Sequence, residues 1–200
     1  MKRITLAFGI LFALVAFQPA AAADITHFKL FGAVAYVSPL SESDVTISTI
    51  TDSVQASNET GWEAGIEFRL NKLLGVEVSY LNSTNDLEFG GTKFGKVDFT
   101  PYNAALNFHL IPSKYFDLYV GACAAYVNWG DIEFDDGTSE STDSEYAYGA
   151  SVGLDISFHK NFAFIGGVRW LSLDLSPSTS GSDSVAVDPL ISRVGFAFRW

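Results

Sequence analysis

Large apolar residues recur at every second position along most of this chain, and they keep one parity throughout. At the C-terminal end Val194, Phe196, Phe198 and Trp200 alternate with Arg193, Gly195, Ala197 and Arg199. A side-chain period of two belongs to a β-strand, whose successive residues point to opposite faces. Earlier segments repeat it on the same even positions. Trp62, Ala64, Ile66, Phe68 and Leu70 form one such set; Leu74, Val76, Val78 and Tyr80 another; Tyr102, Ala104, Leu106, Phe108 and Leu110 a third. The segments Phe116 to Tyr126, Tyr148 to Phe158 and Phe162 to Trp170 continue the series. The periodicity predicts eight strands: Phe28 to Val37, Gly61 to Asn71, Leu74 to Leu81, Val97 to Leu110, Phe116 to Trp129, Tyr146 to Phe158, Phe162 to Leu173 and Val187 to Trp200.

The connections alternate in length. Ser38 to Thr60, Asn82 to Lys96, Gly130 to Glu145 and Asp174 to Ala186 are long, whereas Asn71 to Leu73, Ile111 to Tyr115 and His159 to Asn161 are tight turns. Short turns on one side and long loops on the other fit an outer-membrane barrel, whose tilted strands need roughly 9–11 residues to cross. No charge interrupts these even-numbered apolar sets. A charge facing lipid at mid-membrane costs about 2–4 kcal/mol, so this absence is what a membrane face requires. Aromatic residues gather at both ends of that face. Tyr36, Trp62, Tyr80, Tyr102, Tyr126, Tyr148 and Trp170 lie toward the long loops; Phe28, Phe68, Phe108, Phe116, Phe158, Phe162 and Trp200 lie toward the short turns. Such girdles mark the two membrane interfaces. The expected fold class is all-β, an eight-stranded antiparallel up-and-down transmembrane β-barrel. A soluble lipocalin-like barrel would put its apolar face inward; the girdles and the many small residues at odd positions speak against it.

Composition and charge place this barrel in a compartment. Lys2 and Arg3, the apolar run from Ile4 to Phe17 and the small residues Ala21 and Ala23 have the layout of a secretory signal peptide. Residues 1–23 are expected to be that signal and residues 24–200 the barrel, exported to the outer membrane. Removing the signal takes two positive charges from a formal net charge of −11, leaving −13, which excludes nucleic acid as a natural partner. Cys123 is the single cysteine, so an internal disulfide is impossible, and no metal-ligand spacing occurs. No cofactor is expected.

Odd positions face inward on this reading, and they divide by depth. Glu67, Arg69, Glu77, Asp117, Asp155, Arg193 and Arg199 lie near the short turns with Lys29, Asn107 and His109, and Arg169 lies nearer mid-height. An eight-stranded barrel is just wide enough for side chains to fill, so charges of both signs should pair into a plug; an ion path is the alternative. Toward the long loops the inward face turns apolar, with Val37, Leu81, Val97, Phe99, Val127, Trp129, Leu171, Leu173 and Ile191, Glu63 being the charged exception. These residues either pack against the loops or form a way in for small apolar molecules, which the plug would force to leave sideways. Pro101 and Pro189 fall inside predicted strands on the loop side. Proline has no N–H to give to a ladder, so each marks either an ordinary bulge or a weak point in the wall.

Catalytic chemistry has little support. His27, His109 and His159 all map to the short-turn side, and Ser157 and His159 are too close in sequence to suggest a triad. The loop Asp131 to Glu145 carries seven carboxylates but has Asp136 and Thr142 where an EF-hand needs Gly and Glu. It reads as a solvated acidic loop, with divalent bridging to lipopolysaccharide a further option.

The segments FRLNKLLGVEVSY (Phe68 to Tyr80), YFDLYVGACAAYVNW (Tyr115 to Trp129), VRWLSLD (Val168 to Asp174) and VDPLISRVGFAFRW at the end resemble the OmpW family of outer-membrane proteins in their order and spacing. The resemblance covers nearly all of the chain after the signal. It implies an eight-stranded barrel with a hydrophobic lumen, associated with uptake of small hydrophobic compounds by lateral exit into the membrane. Pro101 matches the family's strand-four proline. Some members of the family serve as phage or bacteriocin receptors. The partners it implies are outer-membrane lipid and lipopolysaccharide, small hydrophobic solutes and the barrel assembly machinery, which would recognise the terminal strand with Trp200. Passive uptake of hydrophobic molecules is the leading expectation. A structural or surface-interaction barrel, adhesin- or receptor-like with acidic extracellular loops, is the alternative.

Overall fold

The computed structural model describes residues 28–40, 43–47, 50–89, 92–113, 115–135, 137–175 and 185–200. The expected signal peptide lies outside the described residues, as does His27. Eight long antiparallel strands make the wall: β1 (Phe28–Pro39), β2 (Glu59–Arg69), β3 (Leu74–Phe89), β4 (Thr92–His109), β5 (Phe116–Trp129), β6 (Glu145–His159), β7 (Phe162–Ser172) and β8 (Pro189–Arg199). Each pairs with its successor, and β8 pairs with β1 from Lys29↔Arg199 to Pro39↔Pro189, so the sheet closes. Closure leaves the barrel wall no free edge, the only way a sheet can satisfy its backbone in lipid.

The stagger fixes the barrel's shape. Val37 pairs directly with Glu59 of β2. Following the register the other way round, through Ile191, Arg169, Ser151, Gly121, Asn107 and Gly75, reaches β2 at Arg69, ten residues along. With the ordinary strand rise and spacing, that shear over eight strands gives a tilt of about 40°. It leaves an interior that side chains fill.

Burial follows the predicted parity. Odd positions such as Ala35, Leu81, Val127 and Ala163 are buried, while even positions such as Val34, Trp62, Val152 and Val194 are exposed on the outer wall. Outward charges on the strands, such as Lys96 and Asp98, lie beyond the aromatic girdle. Each girdle is in ring contact over part of the circumference. Trp62, Tyr80, Tyr102, Tyr126 and Tyr146 touch in sequence across β2 to β6 with ring centroids 5.2–6.5 Å apart. At the other rim Trp200 stacks on Phe28 at 5.5 Å and contacts Phe198 at 5.5 Å. Two glycines make room inside: the Phe31 ring lies against Gly65 and the Tyr119 ring against Gly153, where a Cβ would collide with each ring. An aromatic ring covering a strand glycine is a recognised way to pin a curved sheet.

The structure differs from the sequence reading on the loop side. β3 and β4 run on to Phe89 and Thr92, so the expected loop Asn82 to Lys96 is mostly a paired extension of the barrel wall. Its polar run hid the strand, because Asn82, Ser83, Thr84, Asn85 and Asp86 carry no apolar alternation. Side-chain hydrogen bonds tie it instead: Thr84 Oγ1 donates to Asp98 at 2.7 Å and Asn85 Nδ2 to the Ser57 carbonyl at 3.1 Å. The other long connections also contain pairing. Ser43–Ile47 pairs with Ile50–Ala56, Ile132–Phe134 with both β4 and Ser139–Glu140, and Asp174–Leu175 with Val185–Ala186. The acidic segment Asp131 to Glu145 is therefore partly built onto the β4 extension rather than free. On the opposite side, Asn71 caps its tight turn by accepting from the N–H groups of Leu73 (2.7 Å) and Leu74 (2.9 Å).

Candidate functional site

The interior has two stacked parts. The lower part is a closed ionic network in two layers. Glu63 and Glu77 sit between Arg169 and Arg193. Arg169 donates to Glu63 and Glu77 at 2.9 Å each, and Arg193 donates to Glu63 at 3.0 Å and to Glu77 at 2.9 and 3.0 Å. Below them Lys29 bridges Glu67 and Asp155, Arg199 donates to Asp155 at 2.7 Å, and Arg69 binds Asp117. The His109 ring lies between Glu67 and Asp117, at 2.8 and 3.0 Å. Tyr119 joins the layers: its hydroxyl accepts from Arg193 at 3.3 Å, and the Lys29 ammonium sits 4.8 Å from its ring centroid. Arg193 also covers the Phe31 ring at 4.8 Å.

The formal charges of the arginines, the lysine and the carboxylates balance layer by layer. Two arginines face two glutamates above; Lys29, Arg69 and Arg199 face Glu67, Asp117 and Asp155 below. Burying so many ions is costly, and only this dense mutual pairing offsets the desolvation. All eight residues read from the sequence as a plug lie in it: Glu67, Arg69, Glu77, Asp117, Asp155, Arg169, Arg193 and Arg199. Lys29 and His109, placed near them from the sequence, join it. Glu63 does too; it was read as an exception in the apolar half and is instead the roof of the plug. Tyr119 was missed. Its odd position two residues after Asp117 was the available signal, since an inward tyrosine needs a partner for its hydroxyl.

Above the plug one apolar cluster contains Ala35, Val37, Leu81, Val97, Phe99, Val127, Trp129, Leu171, Leu173 and Ile191. Every residue read as hydrophobic lumen is in it. Leu171 and Val127 are 0% exposed, so this section is packed, not an open bore. At its outer end lies a shallow apolar recess open to solvent. Val37, Pro39, Ala56, Phe99, Trp129, Val187 and Pro189 line it, with Asn85 the one polar side chain. Phe99 and Trp129 face each other there at 5.0 Å.

Both prolines coincide with breaks in the wall. Between β3 and β4 the ladder runs to Tyr80↔Tyr102 and resumes at Ser83↔Phe99 in unchanged register, leaving Leu81 opposite Pro101 and Asn82 opposite Thr100 unpaired in the backbone. On its other side Pro101 keeps its place opposite Val127. Between β7 and β8 the ladder ends at Trp170↔Leu190. Past the break, Val187 N–H donates to the Leu173 carbonyl at 3.0 Å, and Asp188, at φ 37°, accepts the Leu173 N–H at 3.0 Å. The two breaks lie on opposite sides of the barrel, four strands apart, each just above the outer girdle. On the β3–β4 extension, hydrogen bonds to Asp86 and Glu133 hold the exposed Lys93 and Lys96 amines above the ordinary lysine value.

A closed barrel with a lipid-facing apolar wall, two aromatic girdles and a charge-paired core is an integral outer-membrane protein. Residues 8–199 match the family described as outer membrane protein beta-barrel domain, and the chain belongs to it. Three solved structures carry the same fold. OprG from Pseudomonas aeruginosa superposes with a TM-score of 0.76 at 18% identity, covering 88% of this chain and 96% of that one. The outer membrane protein AlkL, solved in DMPC lipid bilayers, gives 0.68 at 18% identity over 92% and 95%. Outer Membrane Protein W of E. coli gives 0.60 at 19% identity over 90% and 100%. At these identities the likeness is one of fold, and it is the fold that the OmpW resemblance implied. No curated protein matches the sequence.

Proposed function

We propose that the protein is a passive conduit for small hydrophobic molecules, which enter the apolar recess from the long-loop side and leave sideways through the wall beside Pro101. One observation carries this reading. The apolar section is closed below by a charge-paired ionic plug whose upper layer is buried, while the wall next to it lacks backbone pairing at Leu81–Pro101 and Asn82–Thr100. Among the described residues no charged side chain is buried above the plug to hold a charged solute, and an apolar body has nowhere to go but the membrane. The break sits beside the Tyr80–Tyr102 pair of the outer girdle, so exit there delivers a molecule to the boundary between headgroups and acyl chains. Because the section is packed at rest, passage requires Leu81 and its neighbours to move, and a strand pair short of two bridges is where that costs least. No chemical step is involved. Contact with lipopolysaccharide at the rim and delivery by the barrel assembly machinery belong to the same proposal.

Pro101→Ala tests it. Alanine restores the N–H and lets the β3–β4 ladder close, which should stabilise the barrel by about 1 kcal/mol and slow uptake of a hydrophobic tracer into proteoliposomes severalfold. Pro189→Ala serves as the comparison for the opposite break. Wild-type uptake no faster than that of empty liposomes, with the barrel folded, would end the reading.

A further inference from the structure

The apolar section is not uniformly apolar, and two of its polar exceptions are unsatisfied. Asn103 faces inward on β4, two residues below Pro101, and is 2% exposed. Neither its Oδ1 nor its Nδ2 has a hydrogen-bond partner. It stands between the apolar cluster and the plug, opposite Ser79 of β3 and Ala125 of β5. Two strands away on β2, where Gly65 pairs with Ser79, Glu63 lies two residues further on and its Oε2 is also without a partner. At the outer end Trp129, 6% exposed and lining the recess, has an indole N–H with no acceptor. Buried polar groups are ordinarily paired, and an amide left unpaired in an apolar surround is costly. Unpartnered atoms also occur within the ionic network, Arg169 Nε and Asp155 Oδ1 among them, but Asn103 and Trp129 are the ones set in the apolar section.

We infer that Trp129 and Asn103 are two hydrogen-bonding stations for the guest, and that the preferred guest is a small apolar molecule bearing one uncharged polar group, an alcohol above all. This rests on the conduit reading and names its substrate class. A hydroxyl oxygen accepts from Trp129 Nε1 at the recess. At the floor it accepts from Asn103 Nδ2 and donates to Asn103 Oδ1 or Glu63 Oε2, so it satisfies both stations, where a ketone satisfies only their donors and an alkane neither. A charged head group is excluded, because among the described residues no countercharge is buried above the plug and the walls cannot solvate it. Trp129 lies opposite Phe99, and Phe99 is four residues from Asn103 on β4, about 13 Å along the strand. One head group therefore occupies the stations in turn, Trp129 on arrival and Asn103 deeper in. The Pro101 break lies on β4 between Asn103 and Phe99, the residue opposite Trp129, so the polar group stays held while the apolar body reaches the wall.

The test uses the full barrel in lipid nanodiscs, with octane, 2-octanone and 1-octanol compared at equal concentration in the bilayer. Trp129 is the one inward tryptophan; Trp62, Trp170 and Trp200 face lipid. Its indole N–H resonance therefore reports the recess. 1-Octanol should shift that resonance, octane should not, and octanol should bind about tenfold more tightly than octane. Asn103→Leu should abolish the preference while octane binding persists or strengthens, and Trp129→Phe should weaken octanol alone. The Trp129 shift in the wild-type barrel decides the point even if a variant fails to fold. Equal binding of octane and octanol would overturn this inference and leave the conduit standing. Binding of neither would overturn both.

Discussion

The upper layer of the plug allows a quantitative test of why the barrel floor is closed. Glu77 accepts three hydrogen bonds from Arg169 and Arg193, which otherwise share only Glu63. Glu77→Gln keeps the shape and leaves two guanidinium groups against one carboxylate in a layer that is almost fully buried. Removing one partner of a buried ion pair costs about 3–5 kcal/mol, two to four orders of magnitude in the folded-to-unfolded ratio. Arg193→Met leaves the opposite imbalance and should cost a similar amount. The double variant restores neutrality, because Arg169 and Glu63 remain paired at 2.9 Å. Its loss should fall short of the sum of the single losses by about 2–3 kcal/mol, the coupling expected within one network. Urea unfolding in phospholipid vesicles, followed by tryptophan emission and by the mobility shift of the unboiled barrel, measures all four corners of the cycle. Additivity within about 0.5 kcal/mol would refute the view that the plug is held by charge balance. The single variants should also admit ion current across planar bilayers, where the wild type and the double variant stay closed.

Three further outcomes follow from the packing. Gly153→Ala places a methyl group against the Tyr119 ring, so it should cost about 1–3 kcal/mol by overpacking and break the Tyr119–Arg193 hydrogen bond, read as a lower urea midpoint. Trp200→Ala removes the stack on Phe28 beside the two backbone bonds, 3.2 Å each, that close the β1–β8 seam; the folded fraction should fall, with a stability loss of about 0.5–1.5 kcal/mol, while uptake per folded barrel is unchanged. Replacing Asp131, Glu133, Asp135 and Glu140 with their amides should alter stability by under about 1 kcal/mol, since the Lys96–Glu133 pair is exposed; under the conduit reading hydrophobic uptake is unaffected, whereas lost binding to cells or envelope components would favour the surface-interaction alternative.

What the sequence by itself determined is the wall. Each membrane strand meets lipid on one face and a filled interior on the other, so a period of two with one parity was written into all eight, from Phe28 to Trp200. The depth of the inward residues was legible for the same reason, since charged and apolar odd positions separate along most strands, β2 with its Glu63 being the clearest departure. The tertiary structure decided what those residues meet. Glu63 and Arg193 stand 130 residues apart, and only the closed barrel with its ten-residue stagger sets them at one height. That is why Glu63 read as an outlier and proved to be the roof of the plug. The β3–β4 extension was hidden because a strand outside the membrane is held by its neighbour and not by an apolar face. The break at Pro101 needed the same information. A proline removes a donor from one side of a strand only, and the fold turns that side toward β3, leaving Leu81 unpaired while the contact with Val127 survives.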